Sequence, residues 1–310
     1  MNKKLNFLLI GYSQIAKKRI VNVLIKNKIV FSVASKSNKK KIKGAKKQFS
    51  DYNYALKNSE ANLVYISLPN SLHYVWAKKA LLLGYHVIID KPICNKLSET
   101  RELINIAKKK KKLLSEAIFY NYHKQIKQAV KLSGGKHKIN HVQVNFIIPK
   151  PHKNSLLISK KLKGGVIMDM GPYAASINRI FFNKNILSKK IIVEKNSSNL
   201  PVSFYLLIKY HQRIYTGFFK FGGEYKNEVI FFTKNKTITI NRVFSPPSDS
   251  SLNLKVTKND KEKKYLVKKD DCFENYFLEI QNKLKKKEYT YYLKQIENDH
   301  LFRDKINKKV

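Results

Sequence analysis

Leu5-Asn6-Phe7-Leu8-Leu9-Ile10-Gly11-Tyr12-Ser13-Gln14-Ile15-Ala16 reads as a strand, a tight turn and the opening of a helix. The first six residues are nearly all apolar, too short for a core helix and suited to a strand covered on both faces. The spacing G-x-S-x-x-A then approaches the G-x-G-x-x-G/A of a dinucleotide-binding turn. The first glycine of such a turn permits a sharp reversal, the last small residue lets helix and strand pack closely, and the helix amides face a pyrophosphate. Ser13 occupies the middle position, where glycine lets the backbone approach the phosphates; its hydroxyl can donate to a phosphate instead. Taken alone, these residues also fit an ordinary strand-to-helix turn.

Downstream, short apolar runs alternate with helical patterns, as a parallel α/β sheet requires. The helix from Gln14 turns Ile15, Val23 and Leu24 inward. A second strand is expected over Ile29–Ala34, a lysine-rich surface helix over Lys39–Phe49, and a third strand over Leu63–Leu68, stopped by Pro69-Asn70. Leu72, Val75, Trp76, Ala80 and Leu83 recur at helical spacing before Gly84. His86–Ile89 is a further strand, followed by a helix over Ser98–Lys108 and a strand over Leu113–Ile118. The lysine run Lys108–Lys112 suits a helix C-terminus, where cations favour the dipole. These elements define a Rossmann-type α/β domain over residues 1–118.

From Phe119 the texture changes. A helix is expected after Gly164-Gly165, then strands over Phe204–Tyr210, Ile214–Phe221, Val229–Thr233 and Thr237–Asn241, separated by short polar turns. Residues 119–310 are therefore expected to form an α+β domain with a mostly antiparallel open sheet.

The chain has 310 residues, with 63 Lys and Arg against 21 Asp and Glu, a formal net charge of +42. Such a charge raises nucleic-acid binding. Yet six residues are arginine, the side chain that reads phosphates and bases bidentately, and the lysines form no single stripe. The charge predicts weak, sequence-blind attraction to polyanions and no specific nucleic-acid partner. No apolar run is long enough to span a bilayer, and Leu5–Ile10 is too short for a secretory leader. Two cysteines give no disulfide framework or multi-cysteine metal site. A cytoplasmic protein without a metal or a membrane partner is expected.

Three further constellations carry chemistry. The second strand ends at Ser35-Lys36 with no Asp or Glu to hold ribose hydroxyls, and Ser35 and Lys36, with Lys39–Lys41 nearby, suit a 2′-phosphate, pointing to NADP over NAD. Asp90-Lys91-Pro92 lies at the carboxyl end of a strand, where doubly wound sheets bind ligands, and a sheltered lysine there can hold a substrate oxygen. In Gly164-Gly165-Val166-Ile167-Met168-Asp169-Met170-Gly171-Pro172-Tyr173, helical spacing puts Asp169 and Tyr173 on one face. An acid and a phenol together can bind a polyol and supply a proton; equally, Asp169 can cap the helix, Tyr173 can be core and Pro172 can mark an early helical position.

In order, Gly-x-Ser-x-Ile-Ala, Tyr65-Ile66-Ser67-Leu68-Pro69-Asn70 with Leu72-His73, Gly84-Tyr85-His86-Val87-Ile88-Ile89-Asp90-Lys91-Pro92 and the Gly164–Tyr173 segment together resemble the Gfo/Idh/MocA oxidoreductase family, over Lys4 to about Phe182. The resemblance implies a two-domain NAD(P)-dependent enzyme that moves a hydride between nicotinamide and a sugar hydroxyl or keto carbon, the sugar free or nucleotide-activated. It implies cofactor binding by Gly11, Ser13, Gln14, Ile15, Ala16, Ser35, Lys36, Pro69, Asn70, His73, Asp90 and Lys91. Asp90 stands where the family usually carries glutamate. Lys91, Tyr173 and Asp169 are the implied catalytic residues, with Tyr120, Asn121, Tyr122 and His123 joining Asp169 and Tyr173 against substrate. A homo-oligomer associated through the open sheet is implied as well. The alternatives are a non-catalytic dinucleotide-binding relative of the same fold and a basic polyanion-binding protein.

Overall fold

The computed structural model describes residues 5–38, 40–182 and 186–308. The chain divides into two compact units, Met1–Ala117 with Tyr276–Glu297, and Ile118–Asn275 with Asn298–Val310.

In the first unit, β1 (Asn6–Ile10), β2 (Val30–Ala34), β3 (Gln48–Phe49), β4 (Leu63–Ile66), β5 (His86–Asp90) and β6 (Leu114–Ala117) form one sheet in the order β3-β2-β1-β4-β5-β6. Every pairing is parallel. Phe7 to Ile10 and Leu63 to Ile66 are fully buried, as expected of strands covered on both faces. The helices are α1 (Val21–Lys26), which continues a π-helical turn over Ala16–Ile20, α2 (Tyr52–Asn58), α3 (His73–Leu82) and α4 (Leu97–Lys109). Chain order reverses between β1 and β4, so the crevice outside their carboxyl ends is the switch point at which such sheets take ligands.

Three expectations need correction here. Residues 40–47 form no helix (Lys39 lies outside the described residues): the segment turns at Lys43-Gly44 and leads into β3 beside β2, with Lys46 N–H on Phe31 O and Val33 N–H on Lys47 O. Gly44 takes φ +82° against Ile25, a left-handed conformation that ends any helical course. On α3 the buried line is His73, Trp76, Ala77, Ala80 and Leu81, while Leu72, Val75 and Leu83 are exposed; the apolar spacing had mixed two faces. Ile15 is likewise exposed, and Ala16, Ile20, Val23 and Leu24 turn inward.

The second unit holds α5 (Lys124–Leu132), β7 (His141–Ile148), α6 (Val166–Phe181), β8 (Ser188–Lys195), β9 (Pro201–Tyr210), β10 (Arg213–Phe221), β11 (Lys226–Phe232), β12 (Thr237–Asn241), β13 (Leu252–Lys258) and β14 (Lys261–Val267). Its eight strands run β14-β13-β12-β11-β7-β10-β9-β8, antiparallel except for the β7–β10 pair. Strict alternation on β9, with Phe204, Leu206, Ile208 and Tyr210 buried and Tyr205, Leu207 and Lys209 exposed, gives the sheet one core face, on which α6 packs.

The two last helices are α7 (Cys272–Lys285) and α8 (Leu293–Asn307). Residues 119–310 were expected to stay together, but Tyr276–Glu297 belongs to the first unit. A doubly wound sheet needs both faces covered. Phe277 meets Phe7 edge-on at 5.4 Å and also meets Tyr65, while Tyr276 Oη donates to Ser115 Oγ or accepts from it at 2.8 Å.

Candidate active site at the strand ends

Gly11 sits at the carboxyl end of β1 with φ +92°, and a Cβ there would stand 2.1 Å from the Ser67 carbonyl oxygen. No other residue fits, since the reversal needs both a left-handed backbone and contact with β4. Gly11 N–H donates to Ala34 O at 2.9 Å, tying the turn to β2. Gln14 and Ile15 are exposed at the helix start and Ala16 is buried. Helix-start amides lack intrahelical partners, so this turn has the shape and polarity to take a dinucleotide's diphosphate.

Ser13 is engaged within the protein. Its Oγ lies 2.6 Å from Ser67 Oγ and accepts the Ala16 N–H at 3.2 Å. Ser67 Oγ in turn donates to Asp90 Oδ2 at 2.6 Å, and Tyr65 Oη donates to Asp90 Oδ1. Burial pushes the Asp90 carboxyl up; the two hydroxyl donors and the charges of His73 and Lys91 oppose that. Tyr65 is pushed well up, first by burial and then by the neighbouring Asp90. Tyr65 and Ser67 stand within a quoted motif, but the sequence alone assigns them no role. The available signal was two hydroxyls inside an otherwise apolar buried strand, which need partners.

His73 is fully buried, with Nδ1 2.7 Å from Pro92 O and Nε2 2.8 Å from Leu68 O. The ring is buried between these two carbonyls, so the expected cofactor contact through this side chain is corrected to a structural place between Leu68 and the Asp90–Pro92 segment. Burial lowers its pKa, against the pull of the two carbonyls and Asp90. Pro69 and Asn70 are half-buried at the turn, and Asn70 O accepts from Asn95 Nδ2 at 3.1 Å. Lys91, half-buried, follows Asp90 directly. His86 accepts the Leu113 N–H on Nδ1 at 3.0 Å and is structural.

At the end of β2, Ser35 is buried and its Oγ accepts the Asn38 N–H at 3.2 Å, so this hydroxyl closes the turn. Lys36 is exposed, its ammonium 5.3 Å from the centre of the Tyr52 ring. With Lys40 and Lys41 also exposed, the outer end of β2 is cationic and carries no acid.

In the second unit, Asp169 and Tyr173 lie one turn apart on α6, both half-buried. Gly165 is the N-cap, so Asp169 does not cap the helix, and Pro172 lies inside α6 instead of at its first turn. The Tyr173 ring packs against Phe146, Tyr120 and Phe244 at centroid distances of 5.5, 5.8 and 4.9 Å. Two of the six residues expected against substrate are corrected. Tyr120 is 1% exposed with Oη 2.7 Å from Ser176 Oγ, and His123 is 1% exposed and accepts the Gln125 N–H on Nδ1 at the start of α5. Both are held in the core, which leaves them no surface for a ligand, while Asn121 and Tyr122 are half-buried.

Residues 5–118 match the family described as an oxidoreductase family with an NAD-binding Rossmann fold, the Gfo/Idh/MocA model. The dTDP-3,4-didehydro-2,6-dideoxy-alpha-D-glucose 3-reductase of Actinomadura kijaniata is 24% identical over 227 residues, 72% of this chain and 68% of that protein. D-xylose 1-dehydrogenase (NADP(+)) 2 of Haloferax volcanii is 31% identical over 135 residues, 43% of this chain and 42% of that one. Among solved structures, a 3-ketoreductase from Actinomadura kijaniata in complex with NADP and TDP-benzene superposes with a TM-score of 0.91 at 20% identity, covering 98% of this chain and 97% of that one. The segment that the Gfo/Idh/MocA model matches is the parallel sheet with its β1 turn, and the antiparallel sheet that follows shares the fold of the 3-ketoreductase structure.

Proposed function

We propose that this protein is an NADP-preferring oxidoreductase that reduces the keto group of a sugar, most suitably one linked to a nucleotide, or runs the reverse oxidation. The observation that carries the reading is Lys91 placed directly after Asp90 at the end of β5, in the same sheet whose β1 turn requires glycine at position 11. The acid-free, lysine-bearing end of β2 supports NADP, and the nucleotide-linked substrate rests on the kinship with dTDP-sugar 3-reductases.

The bound cofactor supplies a hydride at the carbonyl carbon. As negative charge develops on the carbonyl oxygen, the Lys91 ammonium stabilises it. Tyr173, or Lys91 itself, delivers the proton to that oxygen. Asp169, one turn earlier on the same face of α6, orients a sugar hydroxyl. Asn121 and Tyr122 are proposed to contact substrate.

The outer face of the second sheet supports a homo-oligomer. Ile192, Tyr205 and Leu207 are 49%, 41% and 48% exposed there. With Phe218, Thr216 and Asn145 they line a hollow of about 320 Å³. Light scattering on the wild type and on Leu207→Glu tests this, with a smaller species expected for the variant.

Fluorescence titration with NADPH and NADH, followed by turnover of keto-sugars and nucleotide-linked keto-sugars, tests the reading. Tighter NADPH binding and NADPH consumption with a nucleotide-linked keto-sugar are expected. Tighter NADH binding rejects the role of Lys36, and absence of binding to either cofactor rejects the reading.

A further inference from the structure

We propose that the hydrogen-bonded chain Ser13–Ser67–Asp90, closed by Tyr65, couples the cofactor turn to the segment that carries Lys91, with Ser67 and Tyr65 acting as positioning residues for Asp90. The coupling to a cofactor rests on the dinucleotide reading above.

The direction of the hydrogen bonds follows from chemistry. An ionised carboxylate accepts and does not donate. Ser67 therefore gives its proton to Asp90 Oδ2 at 2.6 Å and must accept from Ser13, whose Oγ is 2.6 Å away. Ser13, with its proton committed to Ser67, accepts the Ala16 N–H at the start of the helix. Tyr65 supplies the second acid oxygen. Two hydroxyl protons thus point at one carboxylate and a third at Ser67, and the chain ends on the Ala16 amide at the start of the helix. Bonds to a charged acceptor in a site of low exposure are worth about twice a neutral one.

Two departures from the family pattern then explain each other. Serine in place of the middle glycine is the first link of the chain. Aspartate in place of glutamate has one methylene fewer, and the hydroxyls at the end of β4 reach it where it stands. Besides Ser67, the groups that act on Asp90 are Tyr65 on β4, His73 on α3 and Lys91 beside it, with Tyr276 of α7 acting on Tyr65.

Restoring the glycine tests the idea by sign. If Ser13 were a worn fingerprint, Ser13→Gly would tighten NADPH binding by letting the backbone closer. The hydrogen-bonded chain requires the reverse: NADPH binding weakened about 10-fold in Ser13→Gly, and near wild type in Ser13→Thr, which keeps the hydroxyl. In parallel, ¹³C NMR of the aspartate carboxyls, with Asp90 assigned by its loss in Asp90→Asn, follows the acid without any cofactor. Ser67→Ala and Tyr65→Phe each remove a donor with little change in shape, and each should move the Asp90 midpoint upward by about one pH unit. Equal or tighter NADPH binding by Ser13→Gly, or an unmoved Asp90 midpoint in Ser67→Ala, overturns the proposal. A wild type that fails to bind NADPH defeats the cofactor reading instead, and the NMR arm still decides whether the hydroxyls hold Asp90.

Discussion

Lys91 carries the sharpest residue-level prediction. If its ammonium stabilises the oxygen during reduction, Lys91→Ala lowers kcat by ~100-fold or more while NADPH binding, which depends on the Gly11 turn, stays within a few-fold. Stopped-flow turnover and fluorescence titration on the same preparation check both halves. Gly11 and Lys91 were legible in the sequence because each is fixed by its own strand: one by the turn that must follow β1, the other by ending β5. Tyr65 and Ser67 were not, because their importance lies in what β4 faces across two strand pairings. Tyr120 and His123 were misread for the same reason. Their types suggest ligand contact, while their burial reflects packing against α6 and α5 that no local pattern records.

Elements show the same division. β1, β4 and β5 are continuous apolar runs and could be read directly. The Lys39–Phe49 stretch misled because lysines on a surface helix and lysines on a turn before a short edge strand look alike, and the left-handed Gly44 decides between them. β8 passed unnoticed since its residues are exposed or half-buried throughout, leaving no alternation to detect. Two predictions belong at this scale. Arg179 Nε holds both Asp299 oxygens at 2.9 Å, joining α6 to α8, and Asp299 is 5% exposed. Asp299→Ala strands the guanidinium and should cost ~3 kcal/mol in urea unfolding, with the double variant Arg179→Met/Asp299→Leu recovering most of it. On β5, burial, with a contribution from Lys112, pushes the His86 pKa down to about 4. In the unfolded chain the ring titrates near 6.5, so between about 6.5 and 4 the unfolded state binds the extra proton. Stability is therefore full above that window and falls as pH drops through it. His300 of α8, lowered to about 3 by burial and by Arg303, adds to the slope. Unfolding midpoints measured from pH 7.5 to 4.5 should fall, and His86→Asn should make the fall shallower.

For the whole molecule, the +42 charge is a term in stability before it is one in function. Like charges spread over both units repel in the folded state, and salt screens them. Raising NaCl from 10 to 300 mM should lift Tm by ~5 °C, read by scanning calorimetry; a falling Tm would mean that ion pairs such as Lys46–Glu60 and Lys47–Glu60, both at 2.7 Å, outweigh the repulsion. Division into a parallel and an antiparallel sheet was legible from the change of texture near Phe119. The return of Tyr276–Glu297 to the first unit was not, because a helical stripe such as Phe273, Tyr276, Phe277 and Ile280 states that it covers something without saying what.

That return has a consequence for biosynthesis. On a ribosome, Phe7 and Tyr65 emerge early, yet the aromatic ring that caps them comes after the whole of Ile118–Asn275 has been made. Those two rings must wait for nearly all of the remaining chain before Phe277 packs on them, and a chain stopped at Ala117 lacks that ring altogether.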